Sequence, residues 1–156
     1  MAMLRLLLPL AYRLRRRAMA LLGWRTRGVK LLVFDRDGRV LLVRHRYGRS
    51  DLHMLPGGGI ARGETPVAAA GRELREETGC IAQELTLLAR HESRTEGRRD
   101  TVFLFSARSD GVPVPDGREL AEAAFHRLDE LPASLSPATQ RRIEEWQGLR
   151  ARVIAW

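Results

Sequence analysis

The chain has one cysteine, Cys80, so no disulfide can close within it. That excludes a disulfide scaffold and fits a reducing, cytoplasmic setting. Cys80, between Gly79 and Ile81, reads as a small core hydrophobe. The apolar run from Leu6 to Ala11 is far too short for a membrane-spanning helix, which needs about 20 residues. No zinc-finger spacing and no aromatic stacking pattern occurs, which removes common nucleic-acid modules. There is no internal repeat. Acidic residues are nearly absent from the first third. Residues 1–49 hold 13 Lys or Arg against only Asp35 and Asp37, while the whole chain is +8. The basic excess therefore belongs to the N-terminal third, and the remainder is mildly acidic. This distribution weakens a nucleic-acid reading based on total charge.

What is present suffices for one domain with a real core: 156 residues, 44% hydrophobic and 29% charged. In residues 1–22, Met3, Leu7, Leu10, Leu14, Ala18 and Leu21 recur at helical steps, with arginines mostly off that face. The arginines follow the apolar run, the reverse of a secretory signal. We read 1–22 as a basic amphipathic helical extension and 23–150 as the main domain. The extension packs on the domain or a partner, lies on an anionic membrane surface, or is loosely ordered. Its apolar face leaves both a monomer and a homodimer open.

Val29–Phe34 and Val40–Val43, joined through Asp37-Gly38, predict a hairpin. Residues 46–63 form a glycine-rich loop with a short strand near His53 to Leu55. Thr65 followed by Pro66 predicts a capped helix running to Thr78 and stopping at Gly79. Strands are expected at Ile81–Leu88, Thr101–Ala107 and Glu122–Leu128, with a charged loop over Glu92–Asp100. Ser136 and Pro137 open a second helix reaching about Leu149. Hairpin, helix, strands, helix argues for a mixed sheet covered by helices, an α/β layered domain.

The first helix carries the chemistry. Glu73, Glu76 and Glu77 lie three and four residues apart and share one side, with Val67, Ala70, Leu74 and Thr78 expected to face the sheet. Carboxylates this close repel one another, and a divalent cation reverses that sign. Magnesium takes hard oxygen ligands and completes its shell with water and phosphate oxygens. Arg72, four residues before Glu76, supplies a rigid fork able to orient a carboxylate. A Glu-rich helix alone is most often a solvated surface. The preceding Gly57-Gly58-Gly59 and Glu64 shift the balance toward ion and phosphate handling.

The stretch from Gly58 to Cys80 resembles the signature box of the Nudix hydrolase family. Gly58 is followed after five residues by Glu64. Seven residues later come Arg72, Glu73 and Leu74, then Arg75, Glu76, Glu77, Thr78, Gly79 and Cys80. Every polar anchor agrees. Cys80 replaces a larger aliphatic residue, which affects packing and no ligand. The resemblance implies an α/β/α sandwich with a mixed β-sheet. It also implies hydrolysis of a phosphoanhydride bond in a nucleoside diphosphate linked to another moiety. Glu73, Glu76, Glu77 and the Gly59 carbonyl would hold Mg²⁺, or Mn²⁺, which lowers the pKa of an attacking water. Arg72 would orient the carboxylates, and Glu76 or Glu77 would align or deprotonate that water.

Outside the box, Glu119 and Glu122 are candidates for an additional base, with Glu122 included in the catalytic set. Arg44, His45, Arg98 and Arg99 are candidates for substrate phosphate, as is Arg94 in the same charged loop. Trp24, Tyr47 and Phe103 are read as packing residues that have the chemistry to stack a base. His53 and His91 show no metal-ligand spacing and are read as structural or surface residues. The competing class is a noncatalytic nucleotide- or RNA-binding module of the same fold. The intact carboxylate set argues against it.

Overall fold

The computed structural model describes residues 25–95 and 98–156, and for residues 25, 94, 95, 98 and 99 it describes the backbone alone. The expected extension over 1–22, and Trp24, lie outside the described residues. In chain order the elements are β1 (Arg25–Phe34), β2 (Val40–His45), β3 (His53–Met54), α1 (Pro66–Thr78), β4 (Gln83–Thr95), β5 (Arg98–Arg108), β6 (Leu120–His126) and α2 (Pro137–Trp146). The sheet runs β3-β2-β1-β5-β4, and β6 pairs with β2. Only β1 and β5 pair in parallel; every other pair is antiparallel, so the sheet is mixed.

Alternation along the strands sends apolar side chains to both faces. Val29, Leu31, Val33, Leu41 and Phe105 meet Ala69, Ala70 and Leu74 of α1 on one face. Leu32, Val40, Leu42, Leu55 and Leu104 meet Ile143 of α2 on the other. The result is the α/β/α sandwich expected. Cys80 is 1% exposed within the α1-side core, as a small hydrophobe.

The first helix has the bounds that its punctuation predicts. The Thr65 hydroxyl accepts from Ala68 N at 3.2 Å. Gly79 ends the helix at φ +71°, with its N–H donating to the Arg75 carbonyl. The buried stripe differs from expectation: Val67 is 55% exposed, and Glu77 is buried with Ala69, Ala70, Leu74 and Thr78. Seven residues after Ala70, Glu77 returns to almost the same angle on a 3.6-residue helix, so it inherits the packed face.

Other boundaries shift as well: β1 starts at Arg25, ahead of the expected Val29, and β6 spans Leu120–His126 in place of Glu122–Leu128. Residues Glu92–Asp100 are not one charged loop: β4 runs to Thr95 and β5 starts at Arg98, as a continuous antiparallel ribbon. The outer end of a ribbon has little core to face, so its side chains stay polar while its backbone keeps strand pairing. The second helix stops at Trp146 rather than near Leu149, which is 74% exposed. Beyond it the chain folds back. The buried Arg142 donates to the carbonyls of Val153 and Ala155, and Trp156 N bonds to the Glu92 carbonyl. His91, 2% exposed, contacts Arg142 and is structural, as read from the sequence.

Replacing Thr65 with Ala removes the side-chain acceptor that caps the start of α1. The variant is expected to lose about 1 kcal/mol in urea unfolding with an unchanged m-value. A change within error of zero would show that the cap contributes nothing.

Candidate active site

The glycine loop lies alongside β1 as an irregular extra strand. Val29 N donates to the Gly58 carbonyl at 2.9 Å, Leu31 N to the Pro56 carbonyl at 3.1 Å, and Gly28 bridges to Gly59. This pairing brings the loop against the inner side of α1. Gly57 has φ +129°, and a Cβ there would fall 2.3 Å from the Val29 carbonyl oxygen. A Cβ on Gly58 would fall 2.5 Å from Glu73 Oε2. Gly57 is therefore required by conformation and space, and Gly58 by the approach of a carboxylate.

Arg72 organises the cluster with five side-chain hydrogen bonds. Its Nε and Nη2 donate to the two oxygens of Glu64 at 2.8 and 2.9 Å. Nη1 donates to Glu73 Oε1 at 2.8 Å and to Glu76 Oε2 at 3.1 Å. Nη2 also donates to the Gly59 carbonyl at 2.9 Å. A guanidinium has five N–H donors, which matches this number of acceptors. The arrangement holds the Arg72 proton more tightly than usual, first through Glu64 and then through Glu73. It also draws the Glu64 pKa down to about 2, again first through the Arg72 bond. Glu64 itself accepts from Ala61 N, so it ties the fork to the loop.

Glu77 lies outside the reach of that fork. Its Oε2 accepts from Gly57 N at 2.9 Å, and the residue is 6% exposed. Burial pushes its pKa up to about 7; Lys30 and the Gly57 bond oppose the rise, and Glu73 and Glu119 add to it. Lys30 sits at the same place. Its ammonium donates to the carbonyls of Leu55 and Gly57 at 2.9 and 2.8 Å, and burial lowers its pKa. The sequence reading missed Lys30. The available signal was a lone lysine inside the apolar run Val29–Phe34.

These residues fit a hard divalent cation. Glu73 and Glu77 raise each other's energy as anions, the donors are carboxylate and carbonyl oxygens, and the missing Cβ of Gly58 lets the Glu73 carboxylate lie against the loop carbonyls.

The sequence model of the NUDIX domain matches residues 24–147. The chain belongs to the Nudix family. It is 30% identical over 112 residues to the NAD-capped RNA hydrolase NudC of Klebsiella pneumoniae, covering 72% of this chain. The chain spans about 43% of the length of that relative. It also resembles the crystal structure of a MutT NUDIX hydrolase from Burkholderia pseudomallei, with TM-score 0.69 and 27% identity, covering 78% of this chain and 97% of that one. The solution structure of the Escherichia coli ORF135 protein aligns with TM-score 0.64 and 26% identity, covering 81% and 91%.

Within this Nudix fold the box residues Gly59, Glu64, Arg72, Glu73, Glu76 and Glu77 come together. The residues proposed outside the box divide. Glu119 acts through space on Glu77, and Asp116 holds its backbone by accepting from Glu119 N at 3.0 Å. Glu122 instead accepts from Arg44 Nε at 3.2 Å and lies 3.5 Å from His53 Nε2. Arg44 is occupied by that contact and by the Ser50 carbonyl. For His45, burial first and Lys30 second push the pKa down to about 4, with Asp116 opposing, so it offers a neutral imidazole near neutral pH. Arg98 and Arg99 lie at the start of β5, at the end of the long ribbon, and their side chains lie outside the described residues. Phe103 packs on the α1-side core with the Arg27 guanidinium 5.4 Å above its ring. Tyr47 is 41% exposed.

The burial of Glu77 predicts a pH effect. Its pKa in the fold, about 7, lies above the ordinary 4.5, so its contribution to stability is complete below 4.5 and is lost as pH rises through about 7. Metal-free protein should therefore lose stability over that window. Glu77→Gln should remove the slope and exceed wild type at pH 8 by on the order of 3 kcal/mol in urea unfolding with a chelator present. Equal stabilities at pH 8 would contradict an unfavourable buried charge.

Proposed function

We propose that this Nudix domain hydrolyses a phosphoanhydride bond in a nucleoside diphosphate linked to another moiety, with Mg²⁺ or Mn²⁺. The observation that carries the proposal is the single Arg72 fork gathering Glu64, Glu73, Glu76 and the Gly59 carbonyl beside the buried Glu77. A carboxylate buried as Glu77 is would be costly on an ordinary surface helix. As a preorganised cation and phosphate site the arrangement has a clear use.

Glu73, Glu76 and Glu77, with the Gly59 carbonyl, would hold the cation. The cation supplies charge neutralisation at phosphate and an acidified water. The protein's own groups do the rest. Arg72 fixes the rotamers of Glu73 and Glu76, so neither pays an ordering cost when substrate binds. Gly57 N–H fixes Glu77. Lys30 places positive charge beside the carboxylates and limits their mutual repulsion. Glu76, 55% exposed at its side chain, is the carboxylate most open to an incoming water and is assigned its alignment or deprotonation. Glu119, through its field on Glu77, is the auxiliary acid nearest this chemistry. His45, Arg98 and Arg99 remain the proposed contacts to substrate phosphate. The NAD-capped RNA hydrolase relatives supply one substrate for trial, and nucleotide sugars and dinucleoside polyphosphates supply others.

The test is a panel of these compounds with Mg²⁺ or Mn²⁺ and product analysis. Release of a nucleoside monophosphate is expected for at least one. Glu76→Gln and Glu77→Gln should each lower kcat/KM by on the order of 10²–10³, the loss of several kcal/mol of transition-state stabilisation. Full activity in both variants, or no hydrolysis of any compound, would overturn the assignment and favour a binding module.

A further inference from the structure

We propose that His53, Glu122 and His126 form a second cation site, selective for a borderline-soft divalent ion of the zinc class and separate from the carboxylates of α1. The proposal rests on geometry independent of the hydrolytic reading.

Strand pairing assembles the three residues. Arg44 on β2 lies opposite His53 of β3 on one side and Glu122 of β6 on the other. His126 lies opposite Val40. Glu122 and His126 are four residues apart on one strand, so they share a face. Their partners Val40 and Arg44 are likewise four apart, and Val40 belongs to the core against α2. The trio therefore stands on the α2 side of the sheet, whereas the α1 core packs on the other. One ligand atom from each of the three lies within 4.8 Å of the others. The two imidazoles meet edge to face, with ring centroids 5.8 Å apart.

The hydrogen bonding leaves a specific vacancy for positive charge. His53 Nδ1 lies 2.8 Å from Ser134 Oγ, a contact open to the tautomer with its proton on Nδ1 and the hydroxyl accepting, the form a metal ligated at Nε2 requires. In that tautomer Nε2 of His53 is a lone-pair acceptor. Both His53 Nε2 and His126 Nε2 are buried with no hydrogen-bond partner among the described residues. Glu122, the third member, is also an acceptor only when ionised. The 3.5 Å from His53 Nε2 to Glu122 Oε2 is too long for a good hydrogen bond. Two unpartnered buried ring nitrogens beside a carboxylate are costly, and a cation held among the three gives both a partner.

The donor set decides the ion. Two imidazole nitrogens and one carboxylate suit zinc, with a fourth position left for water or an anion. Magnesium prefers an all-oxygen shell. Ligand atoms in a tetrahedral zinc site lie about 3.3 Å apart, so the side chains must draw inward from their present spacing. Outer contacts needed to hold such ligands are already in place. Ser134 orients His53, and Arg44 Nε holds Glu122 at Oε2. The Arg44 charge opposes the cation. Its side chain is 35% exposed and that of Glu122 is 40% exposed, so water screens the repulsion and provides the entry path.

A bound ion would clamp β3 to β6. His53 is already held to the segment before α2, with its N–H on the Ser134 carbonyl and its own carbonyl on Ser136 N. It stands four residues before Gly57, so the clamp fixes the start of the glycine loop.

The experiment measures Zn²⁺ uptake by the full chain, using equilibrium dialysis with elemental analysis, and Co²⁺ absorption as a report of imidazole ligation. A Glu73→Gln, Glu77→Gln double variant supplies a background that keeps only Glu76 of the three helix carboxylates. One tightly held Zn²⁺ is expected in that background. His53→Gln and His126→Gln should each weaken it by more than about 100-fold, and Ser134→Ala by about 10–100-fold. Should either histidine variant fail to fold, the cobalt spectrum of the double variant and the Ser134→Ala affinity decide. Zinc uptake that disappears with Glu73 and Glu77, that survives both histidine substitutions, or that is absent at micromolar Zn²⁺ would overturn the proposal.

Discussion

The site depends on the five hydrogen bonds of one guanidinium. Arg72 projects from the middle of α1 and reaches backward to Glu64, sideways to Glu73, forward to Glu76 and across to the Gly59 carbonyl. Each acceptor belongs to a different part of the box, so the fork fixes the helix, the loop and the carboxylate rotamers relative to one another. A lysine would bring the same charge with three donors on a flexible stem. It could neutralise the cluster but could not hold four separate acceptors in one plane-directed pattern. The side chain of Arg72 is 30% exposed, so the strength of the arrangement comes from its number of directed bonds more than from any single ion pair.

Glu77 follows a different rule from its neighbours. It is buried on the packed face of the helix and is held by a backbone N–H instead of the fork. Glu76 is largely open to solvent. Two adjacent carboxylates thus sit in environments that push their properties apart: one is desolvated and reluctant to ionise without a cation, the other solvated. Neighbouring acids so separated can divide the labour of holding a cation and handling a proton. Lys30 moderates the buried member from below. Its ammonium is engaged by two loop carbonyls, so loop conformation and carboxylate charge are coupled through one residue.

Most of the fold was legible because its signals are local. Thr65, Pro66 and Gly79 mark the ends of α1 by hydrogen bonding and left-handed backbone, and those requirements do not depend on tertiary context. The box spacing likewise gave the carboxylates and Arg72. What could not be read was set by pairing between distant strands. The β4–β5 ribbon keeps its strand hydrogen bonds past the edge of the core, where polar composition resembles a loop. His53 carried no spacing signal, since its companions Glu122 and His126 lie far along the chain and arrive only through β2. The burial of Glu77 was within reach of helical arithmetic, because Ala70 and Glu77 differ by seven residues. Grouping it with the other glutamates by charge concealed its angle.

The three glycines of the loop show how closely backbone and chemistry are joined. Gly57 needs its positive φ and lies too near the Val29 carbonyl for any side chain; its N–H is then free to reach Glu77. Gly58 pairs with Val29 and leaves the volume that Glu73 occupies. Gly59 meets nothing within 4 Å and is not required by crowding. Its contribution is the carbonyl, which Arg72 holds in place. A carbonyl oxygen retains a second lone pair after accepting one hydrogen bond, so this oxygen can serve the fork and still be offered to a cation. The loop is therefore more than a flexible connection. Its first residue sets one carboxylate, its second makes room for another, and its third presents an oxygen beside them.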